Sequence, residues 1–165
     1  MITGSDRWFV LGDSIVAAVR TGLSASVSRY GQVPGEIAWD ECCEGQLAVS
    51  VPRIFRSELF PVETEGPVGA RCQAPYEVAE FTVSVLRCAP QPEGQATSPA
   101  PDALDTAAGL LLQDMAETMQ SVMYLLCQLK DADSISDYMV TPAEAAGPEG
   151  ACVGLVLRVM ISLEI

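Results

Sequence analysis

The strongest constraint on the fold of this chain is its longest regular period, from Asp102 to Lys130. Leu104, Ala108, Leu111, Met115, Met119, Val122, Leu126 and Leu129 recur every three or four residues, the spacing of one helical face. Asp102 suits an N-cap, with Asp105 at the third helical position. Leu110, Leu112, Met123 and Leu125 widen the apolar stripe. A helix apolar over so broad an arc needs a sheet on one side and a second helix or a neighbouring subunit on another.

The flanking segments supply the sheet. "YEVAEFTVSVLRC" alternates Phe81, Val83 and Val85 with Glu80, Thr82 and Ser84, the period of a half-buried strand. "ACVGLVLRVMISLEI" places Val153, Leu155, Leu157, Val159, Ile161 and Leu163 on one face and a mixed set on the other, as for a strand inside a sheet. "QLAVSVPRIF" opposes Leu47, Val49 and Val51 to Gln46, Ala48 and Ser50; Pro52 cannot donate to a ladder and predicts an edge or a bulge. "GEIAWD" is short and apolar-alternating and "DECCEG" reads as a turn, so "QLAVSVPRIF" is a strand by itself or forms a hairpin with the preceding segment; "YMVT" reads as a short strand, followed by a turn "PAEAAGPEG". A first helix is expected over residues 6–24 from Trp8, Leu11, Ile15, Val19 and Leu23, with Gly12 its weak point. The sum is one α+β domain over 1–165, a single sheet of about four to five strands with two helices packed on one face. Two loops rich in Pro and Gly, 56–75 and 89–101, interrupt it.

Chemistry is constrained mainly by what is missing. The chain has no histidine, which removes Ser-His-Asp and Cys-His catalysis and mixed Cys/His zinc sites. "GPVGA" and "GPEG" lack the spacing and the Lys-Ser/Thr ending of a phosphate loop and read as turns. Carboxylates cluster in "WDECCEG" and "ELFPVETEG", where exposed, solvated turns account for them. A net charge of −13 opposes gripping nucleic acid, although it allows DNA to slide past. No apolar run is long enough to span a membrane, and the N-terminus shows no export signal, so a soluble, non-secreted chain with reduced thiols is expected.

Six cysteines remain: Cys42, Cys43, Cys72, Cys88, Cys127 and Cys152. A four-thiolate metal site from Cys42, Cys43, Cys72 and Cys88 lacks the two-residue gaps of zinc ribbons, and adjacent cysteines make a strained ring if joined to each other. The reading preferred is that one of Cys42 and Cys43 faces the core and the other the surface, with a disulfide from this turn to the 56–75 loop, for example to Cys72, as the alternative. No cofactor, no metal and no catalytic residue is expected. Phe55, Leu59, Phe60 and Val62 are harder to dismiss, since bulky apolar groups in a loop must be covered by something. They are the candidate subunit or ring contacts.

The phrases "GEIAWDECCEGQLAVSVPRIFRSELFP", "CQAPYEVAEFTVSVLRCAP", "DALDTAAGLLLQDM" and "GPEGACVGLVLRVMISL" together resemble head-to-tail connector proteins of the tail terminator type, from long-tailed (siphovirus) phages of actinobacteria. The resemblance runs over roughly residues 5–165. It implies a non-enzymatic virion protein of the phage neck, made in the host cytoplasm. Such a protein forms a homo-oligomeric ring, commonly hexameric, which caps the tail tube, ends its polymerisation and joins the tail to the head. The implied partners are the major tail tube protein and head-completion or connector proteins, with DNA passing through the channel without specific binding and no membrane involved. Another head-to-tail connector, a head-completion or stopper protein, is the alternative; the long helix from Asp102 favours the terminator, because stoppers are usually small β-barrels. More distant readings are a thiol- or metal-dependent enzyme using Cys42, Cys43 and Cys72, and a monomeric acidic mimic of nucleic acid.

Overall fold

The structure, a computed structural model, describes residues 6–64, 74–92, 94 and 97–165. Its centre is the antiparallel pair β3 (Tyr76–Cys88) and β6 (Cys152–Glu164), in register from Tyr76↔Glu164 to Cys88↔Cys152. The alternation dictates this pairing. Ala79, Phe81, Val83 and Val85 lie beside Leu155, Leu157, Val159 and Ile161 on one face, all fully buried. Each large apolar side chain so buried contributes about 1.5–3 kcal/mol relative to exposure.

Outside this pair, β2 (Gln46–Ser57) runs antiparallel to β3, and β1 (Arg29–Gln32) lies parallel to β2 at the edge. On the other flank β4 (Asp137–Val140) and β5 (Glu144–Glu149) both pair with β6, at Asp137↔Ser162 to Val140↔Val159 and at Glu144↔Val156 to Glu149↔Cys152. Among the described residues the mixed sheet therefore has six strands, ordered β1-β2-β3-β6-β4 with β5 also on β6. Helices α1 (Arg7–Gly22) and α2 (Pro101–Asp131) cover one face. The α+β class with two helices on one face is as the sequence predicts; the sheet is larger.

The differences have local causes. "PAEAAGPEG" is not only a turn, since its residues 144–149 form β5 on the otherwise open edge of β6. "GEIAWD" is not a hairpin strand; the partner preceding β2 is β1, "RYGQ", which has no apolar alternation and is selected by the free edge of β2. Helix α2 starts at Pro101, and Ala100 rather than Asp102 is the N-cap residue, without a side-chain cap bond. Proline at the first helical position needs no N–H partner, and Asp102 instead places its charge in the first turn, where the helix dipole favours it. The first turns of α2 are largely exposed, with Leu104 and Leu112 47% and 66% exposed; Leu111 is the first to pack on the core, and the fully buried anchors begin at Asp114 with Thr118, Val122 and Leu126.

One buried ion pair ties the layers together. Arg87 of β3 donates to both oxygens of Asp114 on α2, at 2.8 and 3.1 Å, and to the carbonyls of Ala25 and Ser26 in the segment after α1, at 2.7 and 2.6 Å. Both side chains are withdrawn from solvent. Four acceptors around one guanidinium satisfy a charge that burial would otherwise make costly.

Candidate functional site

The candidate contact residues sit at the end of β2. The register of β2 against β3 shifts between Ser50 and Arg53, at Pro52. A bulge inserts a residue and exchanges the faces of the strand beyond it. Before it Val49 pairs with Val83 on the helix-covered face; after it Phe55 pairs with Val78 on the opposite face. Phe55 is thus a strand residue, only 8% exposed, and not the loop residue that the sequence suggests. The strand also takes in the first two residues of the expected loop, ending at Ser57.

Leu59, Phe60 and Val62 do lie past the strand, on a small hairpin closed by Leu59↔Val62. Val62 N–H donates to the Leu59 carbonyl at 2.9 Å, Ser57 Oγ to the Val62 carbonyl at 2.7 Å, Thr64 N–H to the Arg56 carbonyl at 2.9 Å, and Glu58 N–H to Thr64 Oγ1 at 2.8 Å. The Phe60–Pro61 peptide is cis. Leu59 and Val62 are 74% and 62% exposed, while Phe60 is half-buried. The hairpin is therefore a preformed knob with two apolar side chains in solvent. The remainder of the 56–75 loop, 65–73 with Cys72, lies outside the described residues, as do 93, 95 and 96 of the 89–101 loop.

Charges brace the base of the knob. Glu77 accepts from Arg7, from Trp8 Nε1 at 2.9 Å and pairs with Arg56 at 3.3 Å. Burial alone would raise its pKa, but the bonds from Arg7 and Trp8 and the positive charges of Arg7 and Arg56 outweigh it and hold the carboxyl below its ordinary value. Arg53 donates to Glu80 at 2.6 Å and to Glu63 of the hairpin at 3.3 Å, and the Glu80 bond, against the opposing effect of burial and with the charges of Glu80 and Glu63, raises its pKa.

The sheet's second face, which no described helix covers, carries a groove of about 500 Å³ between residues 33–39 and a floor that includes Ser50, Thr82, Ser84 and Arg158. Hydroxyls there have no histidine to activate them, and the floor carboxylate Glu80 is engaged by Arg53. Ile37 and Trp39 pack on a satellite core of Cys42, Leu86 and Cys152. The acidic turn Asp40 to Glu44 is exposed apart from Cys42, with Arg29 at 3.4 Å from Asp40 and 3.2 Å from Glu41.

Four of the cysteines are paired, where the sequence reading expects reduced thiols, and Cys127 is free. Cys42 bonds Cys152, and Cys43 bonds Cys88, across sequence separations of 110 and 45. The vicinal pair does split between core and surface: Cys42 and Cys152 are 1% exposed, whereas Cys43 and Cys88 are open to solvent. Neither bridge uses Cys72. Their partners are invisible to local spacing, because the sheet alone brings Cys88 and Cys152 opposite each other. Among the described residues no group of three or more His, Cys, Asp or Glu side chains is disposed to hold a metal ion, and no described helix is long and apolar enough to cross a membrane.

Further large apolar side chains are uncovered. Phe9 and Val10 on α1, Ile54 on β2 and Tyr124 on α2 are 60%, 42%, 50% and 67% exposed. Phe9 and Ile54 share one shallow apolar depression with Trp8, Val33, Pro34 and Val51. Compared with protein-family models and with curated proteins, the chain matches none.

Proposed function

We propose that the protein is a ring-forming structural subunit of a phage neck, acting as tail terminator. The role comes from the sequence resemblance described above. The observation that carries the assembly part is the braced hairpin that holds Leu59 and Val62 in solvent, together with the apolar depression at Phe9 and Ile54 beside its base. A rigid apolar knob loses little entropy on docking, and a knob and a receiving patch at different places on one chain make a head-to-tail contact, the kind that closes into rings. Two such contacts per subunit leave the acidic remainder of the surface to face DNA, whose phosphates it repels.

The long α2 favours a terminator over a head-completion or stopper protein, the alternative within the neck. The functional test is a capping assay. Purified protein added to polymerising tail tube subunits of its phage is expected to hold tubes short, with added density at one end of each tube. Unchanged tube lengths and bare ends, with the protein folded, would refute the terminator role. Binding instead to the head-side connector alone would move the assignment to the alternative.

A further inference from the structure

The four bridged cysteines occupy one corner of the sheet, and their unequal exposure has a chemical consequence. Cys88 and Cys152 face each other across β3 and β6. The next pair outward, Ala89 and Ala151, is joined by a 2.7 Å bond from the Ala89 N–H to the Ala151 carbonyl. Narrow and wide pairs alternate in an antiparallel ladder, so Cys88↔Cys152 is a non-hydrogen-bonded pair, whose Cα atoms stand about 4.5 Å apart with side chains close together. A disulfide fits that separation. The sulfurs therefore have a second connectivity open to them without movement of the central strands.

We propose that the corner is a thiol–disulfide relay, in which reduction of the exposed Cys43–Cys88 bond is passed by Cys88 to the buried Cys42–Cys152 bond and ends as a cross-strand Cys88–Cys152 disulfide that frees residues 33–45. In the first step a small dithiol reduces Cys43–Cys88; the dithiol becomes a cyclic disulfide, and Cys43 and Cys88 become thiols. In the second step the Cys88 thiolate attacks Cys152 Sγ. The Cys88–Cys152 bond forms, the Cys42–Cys152 bond breaks, and Cys42 leaves as a thiolate that takes up the proton Cys88 gave away. This step is an exchange with no net oxidation or reduction.

Direct attack by an external thiol on the buried bond is hindered, since Cys42 and Cys152 are each 1% exposed. The route through Cys43 onto Cys42 closes the strained ring of adjacent cysteines, whereas Cys88 already stands opposite Cys152 across the ladder, which favours it as the attacker. One equivalent of dithiol thus unfastens both attachments of the Cys42–Cys43 turn. Residues 33–45 then have no covalent attachment to β3 or β6 and are held by Ile37 and Trp39 on the small satellite core, by the exposed Arg29 pairs with Asp40 and Glu41, and by the backbone bonds of Val33 to Val49 and of Ser28 and Arg29 to Glu44 and Gly45. The relay sets whether the wall of the second-face groove is fastened, and it does not depend on the ring assignment.

The test uses the full chain carrying Cys72→Ser and Cys127→Ser, oxidised, then treated with one molar equivalent of dithiothreitol, blocked with N-ethylmaleimide and mapped by peptide mass. The expected two-thiol species carries label on Cys42 and Cys43 and a Cys88–Cys152 bridge. Label on Cys43 and Cys88 with Cys42–Cys152 intact at the longest times overturns the relay, as does a mixture of untouched and fully reduced chains only. In a second arm, adding Cys88→Ser removes the attacker, and excess dithiothreitol is expected to reduce Cys42–Cys152 about tenfold more slowly than in the parent. Equal rates overturn the proposal.

Discussion

Replacing Asp114 by alanine removes the only side-chain partner that the buried Arg87 guanidinium has among the described residues. In the native structure Asp114 receives two of its four hydrogen bonds, at 2.8 and 3.1 Å, and is 1% exposed. The variant keeps the Ala25 and Ser26 carbonyls, which neutralise no charge, so the buried positive charge loses its hydrogen-bonded counter-ion and retains only the more distant Glu117 carboxylate. Breaking one side of a buried pair costs about 3–5 kcal/mol, against a total stability of about 5–15 kcal/mol for an ordinary domain. With a urea m-value of about 1–3 kcal/mol/M, the unfolding midpoint should fall by roughly 1–5 M. Urea titration at neutral pH with the disulfides intact measures this. Glu63→Ala is the control, since it removes a 3.3 Å pair between half-exposed side chains and should cost less than about 1 kcal/mol. A loss from Asp114→Ala no larger than that of the control would refute the reasoning.

Two further predictions test the frame at the two ends of β2. Glu77 has a folded pKa depressed below its ordinary 4.5, so its contribution is fully present above that value and is lost as pH falls through the depressed folded value. In Glu77→Gln the acid-induced drop in unfolding midpoint below pH 4.5 should be shallower than in the parent; parallel curves would contradict this. Gly45 has φ 81° and is crowded by Arg87 Nη1 and the Ser26 carbonyl, so Gly45→Ala should cost about 1–3 kcal/mol by the same titration, and no loss would contradict the account.

Periodicity made the two-layer architecture legible, because β3, β6 and the second half of α2 bury one face and their residues show it. Pro52 even marked the bulge. What it did not convey was the bulge's effect on parity, which carries Phe55 from an apparent loop onto the side of Val78, away from the helices. Weak strands were missed for a related reason. "RYGQ" and "EAAGPE" have little apolar pattern, and what makes them strands is an open edge supplied by β2 and β6. The Arg87–Asp114 pair and both disulfides join residues 27, 45 and 110 positions apart, so no local spacing announces them. Leu59 and Val62 were legible, since bulky apolar residues beside Pro and Glu in a loop stand out in sequence and stand out of the surface in three dimensions.

The central claim is that these exposed groups make a ring. Electron microscopy of the purified chain, alone and mixed with tail tubes, compared with Leu59→Asp/Val62→Asp, tests it most directly. The account predicts closed rings with a central channel for the parent, free or seated on tube ends, and folded particles without rings for the variant. A parent that stays monomeric at every concentration and leaves tube ends bare, or a variant that forms rings as the parent does, would contradict it.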